Sequence, residues 1–264
     1  MDLQLDGKRA LVSGSTAGIG HAIAEALARE GAHVIVNGRT QARVDDAVKK
    51  LNGAGLRGGV EGFAADLGTS DGVNQITAKY SEVDILVNNL GIFEPKPFEQ
   101  ITDADWFRLF EVNVLSGVRL SRHYLPRMKE REWGRIVFIS SESALQIPSE
   151  MIHYGMTKTA QLAISRGLAE TTAGTNVTVN TVLPGPTDSE GVGTFVEQMA
   201  NARKVSRTEV EKEFFRSVRP SSLLKRFERV DEIAALVAFV CSPLSSATNG
   251  AALSADGGVV RAIA

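Results

Sequence analysis

Tyr154-Gly155-Met156-Thr157-Lys158 sets a phenol and an ammonium four residues apart. On a helix that spacing puts both groups on one face. A free phenol has a pKa of about 10, so acid/base work near neutral pH asks for about 4 kcal/mol of added preference for the phenolate. A cation at about 4 Å supplies about 1 to 4 kcal/mol, depending on the local dielectric. The bland alternative is a solvated surface pair. Ser141 closes an apolar run thirteen residues before Tyr154, where its hydroxyl could hydrogen-bond a substrate oxygen or serve as an ordinary turn serine. Asn113 sits among apolar neighbours in Glu111-Val112-Asn113-Val114, so its amide needs internal hydrogen bonds if it is buried. Holding a water for proton relay and a purely structural role both satisfy that need. Glu142, next to Ser141, is either near the reaction centre or a turn carboxylate.

Ser13-Gly14-Ser15-Thr16-Ala17-Gly18-Ile19-Gly20 follows an apolar run directly and opens a helix-length segment. Glycines 14, 18 and 20 permit a tight turn, close helix-strand packing and approach of a pyrophosphate to the helix N-terminus, with Ser15, Thr16 and Ile19 completing the candidate cradle. In a chain of 25 glycines such a turn can be only a turn, so the strand-before, helix-after context carries the dinucleotide reading. No Gly-Lys-Ser/Thr follows, which excludes a Walker-type loop. After the second run, Val36-Asn37-Gly38-Arg39-Thr40 lacks the acid that would bind the ribose of NAD. Arg39 can neutralise a 2′-phosphate and stack on adenine, which favours NADP(H) while leaving NAD(H) open; a solvated arginine is the alternative. The positive ring of an oxidised nicotinamide would then add to Lys158 in acidifying Tyr154.

Elements able to position these residues recur along the chain. Apolar, β-branched runs at 9–13, 33–37, 60–64, 84–88, 135–140, 177–183 and 251–254 are too continuous for half-exposed strands and predict central strands of a parallel sheet. Helical segments at 18–29, 41–51, 71–79, 104–131, 153–171 and 231–241 alternate with them, with Thr102 and Ser70 as capping residues. The alternation predicts an α/β fold: a doubly wound, Rossmann-type, mostly parallel seven-stranded sheet with helices on both faces, in one domain over 1–264. Residues 187–220 form a helical, polar insertion where ligands bind in such sheets, and are expected to be a substrate lid. From 188 to 220 the lid carries six basic and six acidic residues, whereas a lid for acyl carriers or phosphorylated substrates would be mostly basic.

With 264 residues, 43% of them hydrophobic, the chain can bury a substantial core. A formal charge of −2 gives no field to draw nucleic acid or an anionic membrane, so a small-molecule partner is expected. Cys241 is the single cysteine and the four histidines are scattered, so no disulfide framework or metal site is expected. The N-terminus, MDLQLDGKRA, has no signal-peptide pattern, and no run reaches membrane-span length; the expected location is the cytoplasm.

Taken in order, Ser13-Gly-x-x-x-Gly-Ile-Gly20, Asn88-Asn89-Leu90-Gly91, Asn113, Ser141, Tyr154-x-x-x-Lys158 and Pro184-Gly185 closely resemble the motifs of the short-chain dehydrogenase/reductase family, across essentially the whole chain. The resemblance implies that Tyr154 is the general acid/base, Lys158 lowers its pKa and binds the nicotinamide ribose, Ser141 orients the substrate and Asn113 supports proton relay. It implies that Asp66, with Leu67 beside it, meets the adenine end, that Asn88 and Gly91 line the cofactor, and that Pro184 and Gly185 flank the nicotinamide. Thr187 and Ser189 are rival candidates for holding the carboxamide, because the Pro-Gly-Pro-Thr-Asp-Ser order departs from the family pattern. Ser13 replaces the usual threonine and Leu90 an alanine. Family members are usually tetramers or dimers, so a homo-oligomer is expected, with Trp106, Phe107 and Phe110 at the interface or in the core. The leading expectation is an NADPH-dependent ketone or 3-oxoacyl-type reductase; the alternative is a non-catalytic NADP(H)-binding sensor or scaffold.

Overall fold

Alternate residues of the apolar runs fall into two separate cores. Ala10, Val12, Val34, Val36, Ile85 and Val87 pack with Ile23, Leu27 and Val237, whereas Leu11, Ile35, Leu86, Ile136 and Phe138 pack with Ile76, Leu120 and Tyr124. A strand buried on both faces needs no polar alternation, which is why these runs read as continuous. The computed structural model describes residues 1–263, so Ala264, the expected end of the domain, lies outside the described residues.

The strands are β1 (Arg9–Val12), β2 (His33–Gly38), β3 (Val60–Ala64), β4 (Ile85–Asn88), β5 (Gly134–Ile139), β6 (Val177–Pro184) and β7 (Ala252–Ala255). They form one seven-stranded sheet, ordered β3-β2-β1-β4-β5-β6-β7, and every pairing is parallel. The edge strands β3 and β7 are only half-buried, unlike the central strands expected of all seven runs. Helices α1 (Gly18–Arg29), α2 (Gln41–Asn52) and α9 (Val230–Cys241) lie on one face; α3 (Ser70–Lys79), α5 (Ser116–Glu130) and α6 (Ile152–Glu170) lie on the other. No helix among the described residues is long and apolar enough to cross a membrane.

Two local expectations need correction. Thr69 rather than Ser70 caps α3: its backbone is extended and its hydroxyl accepts the Gly72 N–H at 3.0 Å, which leaves Ser70 as the first helical residue. The single helix expected over 104–131 is instead α4 (Asp103–Phe110), a π-helical turn (Glu111–Leu115) and α5. Thr102 caps α4 as expected, sharing a capping box with Asp105. The π-turn surrounds Asn113, and such turns frequently mark functional sites.

The order of the strands reverses between β1 and β4, which opens a crevice at their carboxyl ends. Polar side chains lock the loops there. The Ser13 hydroxyl accepts the Asn89 and Leu90 N–H groups at 2.9 and 3.0 Å, and the Asn89 amide donates to the Ser13 and Gly14 carbonyls, both at 3.0 Å. From the other side, buried Asn37 accepts the Gly14 N–H at 3.2 Å and donates to the carbonyls of Phe63 and Ala65, each at 3.1 Å. Removing that amide leaves buried backbone groups unmatched, so Asn37→Ala is expected to cost about 1–3 kcal/mol in urea unfolding. An unchanged unfolding midpoint would show that the loop is held by other means.

Candidate active site

Lys158 lies one turn after Tyr154 on α6 and is 4% exposed. Its ammonium is 5.6 Å from the Tyr154 ring centroid and donates to the Ile139 carbonyl at 2.9 Å. Burial lowers its pKa from 10.5 to about 8. The Tyr154 phenol is pushed the other way, above its ordinary value, first by burial and then by the negative charge of Glu142; a hydrogen bond with Ser141 and the charge of Arg219 partly oppose this. The protein's own groups therefore hold the proton on Tyr154; the acidified phenol expected from sequence called on Lys158 together with the positive ring of an oxidised nicotinamide. Phe93 packs its ring edge-on to Tyr154 at 6.2 Å.

Ser141 stands at the end of β5, where its hydroxyl donates to the Glu142 carboxylate and accepts the Ser143 N–H at 3.1 Å. Both residues are buried. Glu142 is thus buried against Ser141 rather than in a solvated turn, with Arg219 bonded to its second oxygen at 3.0 Å.

A cavity of about 500 Å³ gathers Ser141, Tyr154 and Lys158 with Ile19, Gly91, Pro184, Gly185, Thr187 and Ser189. Residues of α7 (Glu190–Arg203) and α8 (Arg207–Ser217) close one side of it. Thr187 and Ser189 differ within it. The Thr187 hydroxyl is buried and donates to the Gly185 carbonyl at 2.9 Å, whereas Ser189, at the N-cap of α7, makes no capping bond and faces Gly18.

The residues of the glycine loop fit a dinucleotide. Gly14 and Gly18 have φ of +61° and +57°, a region that side chains resist. No side chain caps α1 and no acid occupies its first turn, so its N-terminal donors are left for an anion. A Cβ on Gly20 would sit 2.6 Å from the Gly14 carbonyl, so the helix can approach the loop only with glycine there. At the adenosine end, Thr16 lies against Gly38, and the neighbouring Arg39 is exposed with no ion pair among the described residues. Asp66, also exposed, accepts the Gly68 N–H at 3.0 Å.

Four expected cofactor or relay residues are turned elsewhere. The Ser15 hydroxyl donates to the Val12 carbonyl at 2.7 Å and its N–H to the Asn37 carbonyl at 2.8 Å, so Ser15 braces the loop and has no donor left for a phosphate. The Asn88 amide points to Ser121 at 3.2 Å, and its neighbour Asn89 reaches the cavity instead. Leu67 puts its side chain into the core. The Asn113 side chain is spent on Ile92 and Thr157, and its main-chain carbonyl takes the Gln161 amide at 2.6 Å. Gln161 in turn lies 3.4 Å from the Lys158 ammonium. Sequence reasoning missed Asn37, Asn89, Gln161 and Arg219. For Gln161 a signal existed, a polar residue one turn beyond Lys158 on the same helix face; for Arg219 there was none.

The model of the short chain dehydrogenase family matches residues 8–200. The chain belongs to the short-chain dehydrogenase family. It is therefore an oxidoreductase acting on CH–OH and carbonyl groups. Among short-chain dehydrogenases of known sequence it is 52% identical to the uncharacterized oxidoreductase YvaG of Bacillus subtilis, over the whole of both chains (100% each). It is 34% identical to the D-beta-hydroxybutyrate dehydrogenase of Cupriavidus necator, covering 97% of this chain and 99% of that one. Its fold matches the L-sorbose reductase of Gluconobacter frateurii, complexed with NADPH and L-sorbose, with a TM-score of 0.93, 29% identity and 100% coverage of each chain.

The depressed Lys158 pKa carries a stability consequence. Its charged form is penalised in the folded state, and the cost is fully present below about pH 8 and relieved as pH rises towards 10.5. Lys158→Met is therefore expected to be more stable than the parent at pH 7 by about 1–3 kcal/mol. The difference should close between pH 8 and 10.5 in denaturant titrations; a pH-independent difference would contradict the assignment.

Proposed function

We propose that the protein is an NADPH-dependent carbonyl reductase in which Tyr154 is the proton donor. The observation that carries this reading is the convergence of Tyr154, Ser141 and Lys158 in one cavity bordered by the glycine loop and by residues 184–189. When bound, the reduced nicotinamide supplies the hydride that the carbonyl carbon receives. Tyr154, its proton held by burial and by Glu142, gives that proton to the carbonyl oxygen. Ser141 orients the same oxygen, and Lys158 holds the nicotinamide ribose beside Tyr154. Gln161, anchored by its amide N–H on the main-chain carbonyl of Asn113, sets its amide oxygen 3.4 Å from the Lys158 ammonium and so positions that ammonium beside Tyr154.

Gly14, Gly18, Ile19 and Gly20 take the pyrophosphate, and Asp66 with the main chain of Leu67 meets adenine. Thr16 and Arg39 take the 2′-phosphate, supported by the missing acid after β2 and by the free guanidinium. Gly91, Pro184 and Gly185 flank the nicotinamide, and Ser189 holds its carboxamide because the Thr187 hydroxyl is already engaged. The single domain closes over substrate with residues 187–220 as a lid, in which Val196, Ala200, Val210 and Phe215 form an apolar core completed by Phe227 of the segment that follows. Phe107, 74% exposed on α4, supports a homo-oligomer, dimer or tetramer. A buried Cys241 thiol, pushed up to about 12 by burial, suits a cytoplasmic enzyme.

Tyr154→Phe is expected to lower kcat/KM for ketone reduction by at least a hundredfold, while NADPH still binds with its parental Kd in a fluorescence titration. Near-parental turnover would refute the role. Steady-state assays of the parent should also give a kcat/KM at least tenfold higher with NADPH than with NADH; parity between the two would remove Arg39 from the 2′-phosphate site.

A further inference from the structure

The cavity wall carries three carboxylates, Glu142, Glu150 and Glu213, and three cations, Lys158, Arg203 and Arg219. Each cation is already engaged. Arg203 closes on Glu213. Lys158 lies buried beside Tyr154 with its ammonium on the Ile139 carbonyl at 2.9 Å. Arg219 serves two carboxylates at once, through Nε to Glu142 at 3.0 Å and through Nη1 to Glu150 at 3.3 Å. The Arg219 and Glu142 side chains are only 10% and 5% exposed, so water screens the pair little. Glu142 is further fixed by Ser143, whose N–H and hydroxyl lie 2.8 and 3.1 Å from its Oε2. Facing this charged floor, the wall is apolar, with Phe93, Val192, Val196, Met199, Phe214 and Val218.

We propose that this cavity selects uncharged, largely apolar carbonyl compounds and rejects carboxylates and phosphates, with Glu142 and Glu150, held on Arg219, as the residues that exclude anions. The inference rests on the reading of the cavity as the substrate site and adds the class of substrate. An anionic substrate would find no uncommitted cation here. To gain the Nε or Nη1 of Arg219 it would have to displace Glu142 or Glu150, and displacing Glu142, whose side chain is 5% exposed, leaves a buried carboxylate unpaired one residue from Ser141, which is costly. If it did not, it would sit against the unneutralised charge that remains when one arginine faces two carboxylates. An apolar body meets neither penalty and gains by leaving water along the phenylalanine and valine wall. A polyhydroxylated body would reach polar partners only at the floor.

Methyl 4-acetylbenzoate and 4-acetylbenzoate present the same aryl ketone with and without a remote negative charge. With NADPH, the ester is expected to have a kcat/KM at least about tenfold above that of the acid, and Glu150→Gln is expected to narrow that ratio at least about threefold by removing the shared carboxylate. Binding of both compounds to the Tyr154→Phe protein in complex with NADPH, followed by nucleotide fluorescence, gives a readout independent of turnover. Tighter binding of the ester without turnover of either compound would support the selectivity while sinking the proposed reaction. Acid handled as well as ester in turnover or binding, binding of neither, or a ratio unmoved by Glu150→Gln would overturn the proposal.

Discussion

The tie between the ends of β1 and β4 is the constraint on which the site depends. At that point the helices that follow the strands leave for opposite faces, and nothing in the parallel ladder itself holds the two departing loops together. Ser13 and Asn89 do so across 76 residues of sequence, with one hydroxyl accepting two N–H groups and one amide spanning two carbonyls. Those backbone groups are half-buried, so leaving them unpaired is costly, and four bonds acting together hold the crevice mouth at a set width. Gly20 and Gly38 then let α1 and Thr16 close on it. The glycines shape the site by what they leave out.

Burial acts on Tyr154 and Lys158 in opposite senses. It drives the phenol towards its neutral form and the ammonium towards its neutral form, so a low-dielectric site pulls apart the proton affinities of two groups that differ little in water and leaves the phenol the more tightly protonated. A nearby lysine is therefore an incomplete account of an acidic tyrosine. Glu142 raises the phenol further and Arg219 offsets part of that rise, which makes the proton affinity of the reacting group depend on a pair of charges contributed from β5's end and from the segment after α8. The proposed direction, reduction of a carbonyl, is the one that uses a phenol holding its proton.

The fold was legible in the sequence wherever burial is two-sided or periodic. Runs such as 33–37 and 177–183 announce themselves as strands because both faces meet helices. The π-turn was not legible, since Glu111–Leu115 keeps a helical apolar pattern and only the tertiary fit of Asn113 to Ile92 and Thr157 widens it. At the site, Tyr154, Lys158 and Ser141 could be found because a single helix or a strand end sets their spacing. The directions of the Ser15 and Asn88 side chains, and the difference between the rival candidates Thr187 and Ser189, were not legible for a common reason. A motif names a position but not which way its side chain turns, and Ser15, Asn88 and Thr187 each donate to a partner up to 33 residues away. The Glu142–Arg219 pair, 77 residues apart, has no local signature at all.

That pair also bears on how such proteins can diverge. The segment over the cavity is commonly the variable part of an enzyme built on a rigid scaffold. Here it cannot be swapped as a cassette, because its arginine is neutralised by carboxylates that belong to the scaffold, on the turn after β5 and ahead of α6. Transplanting residues 187–220 into a host without those acids would strand a guanidinium in a dry interior, and replacing them here would strand Glu142. Cover and foundation must be inherited together.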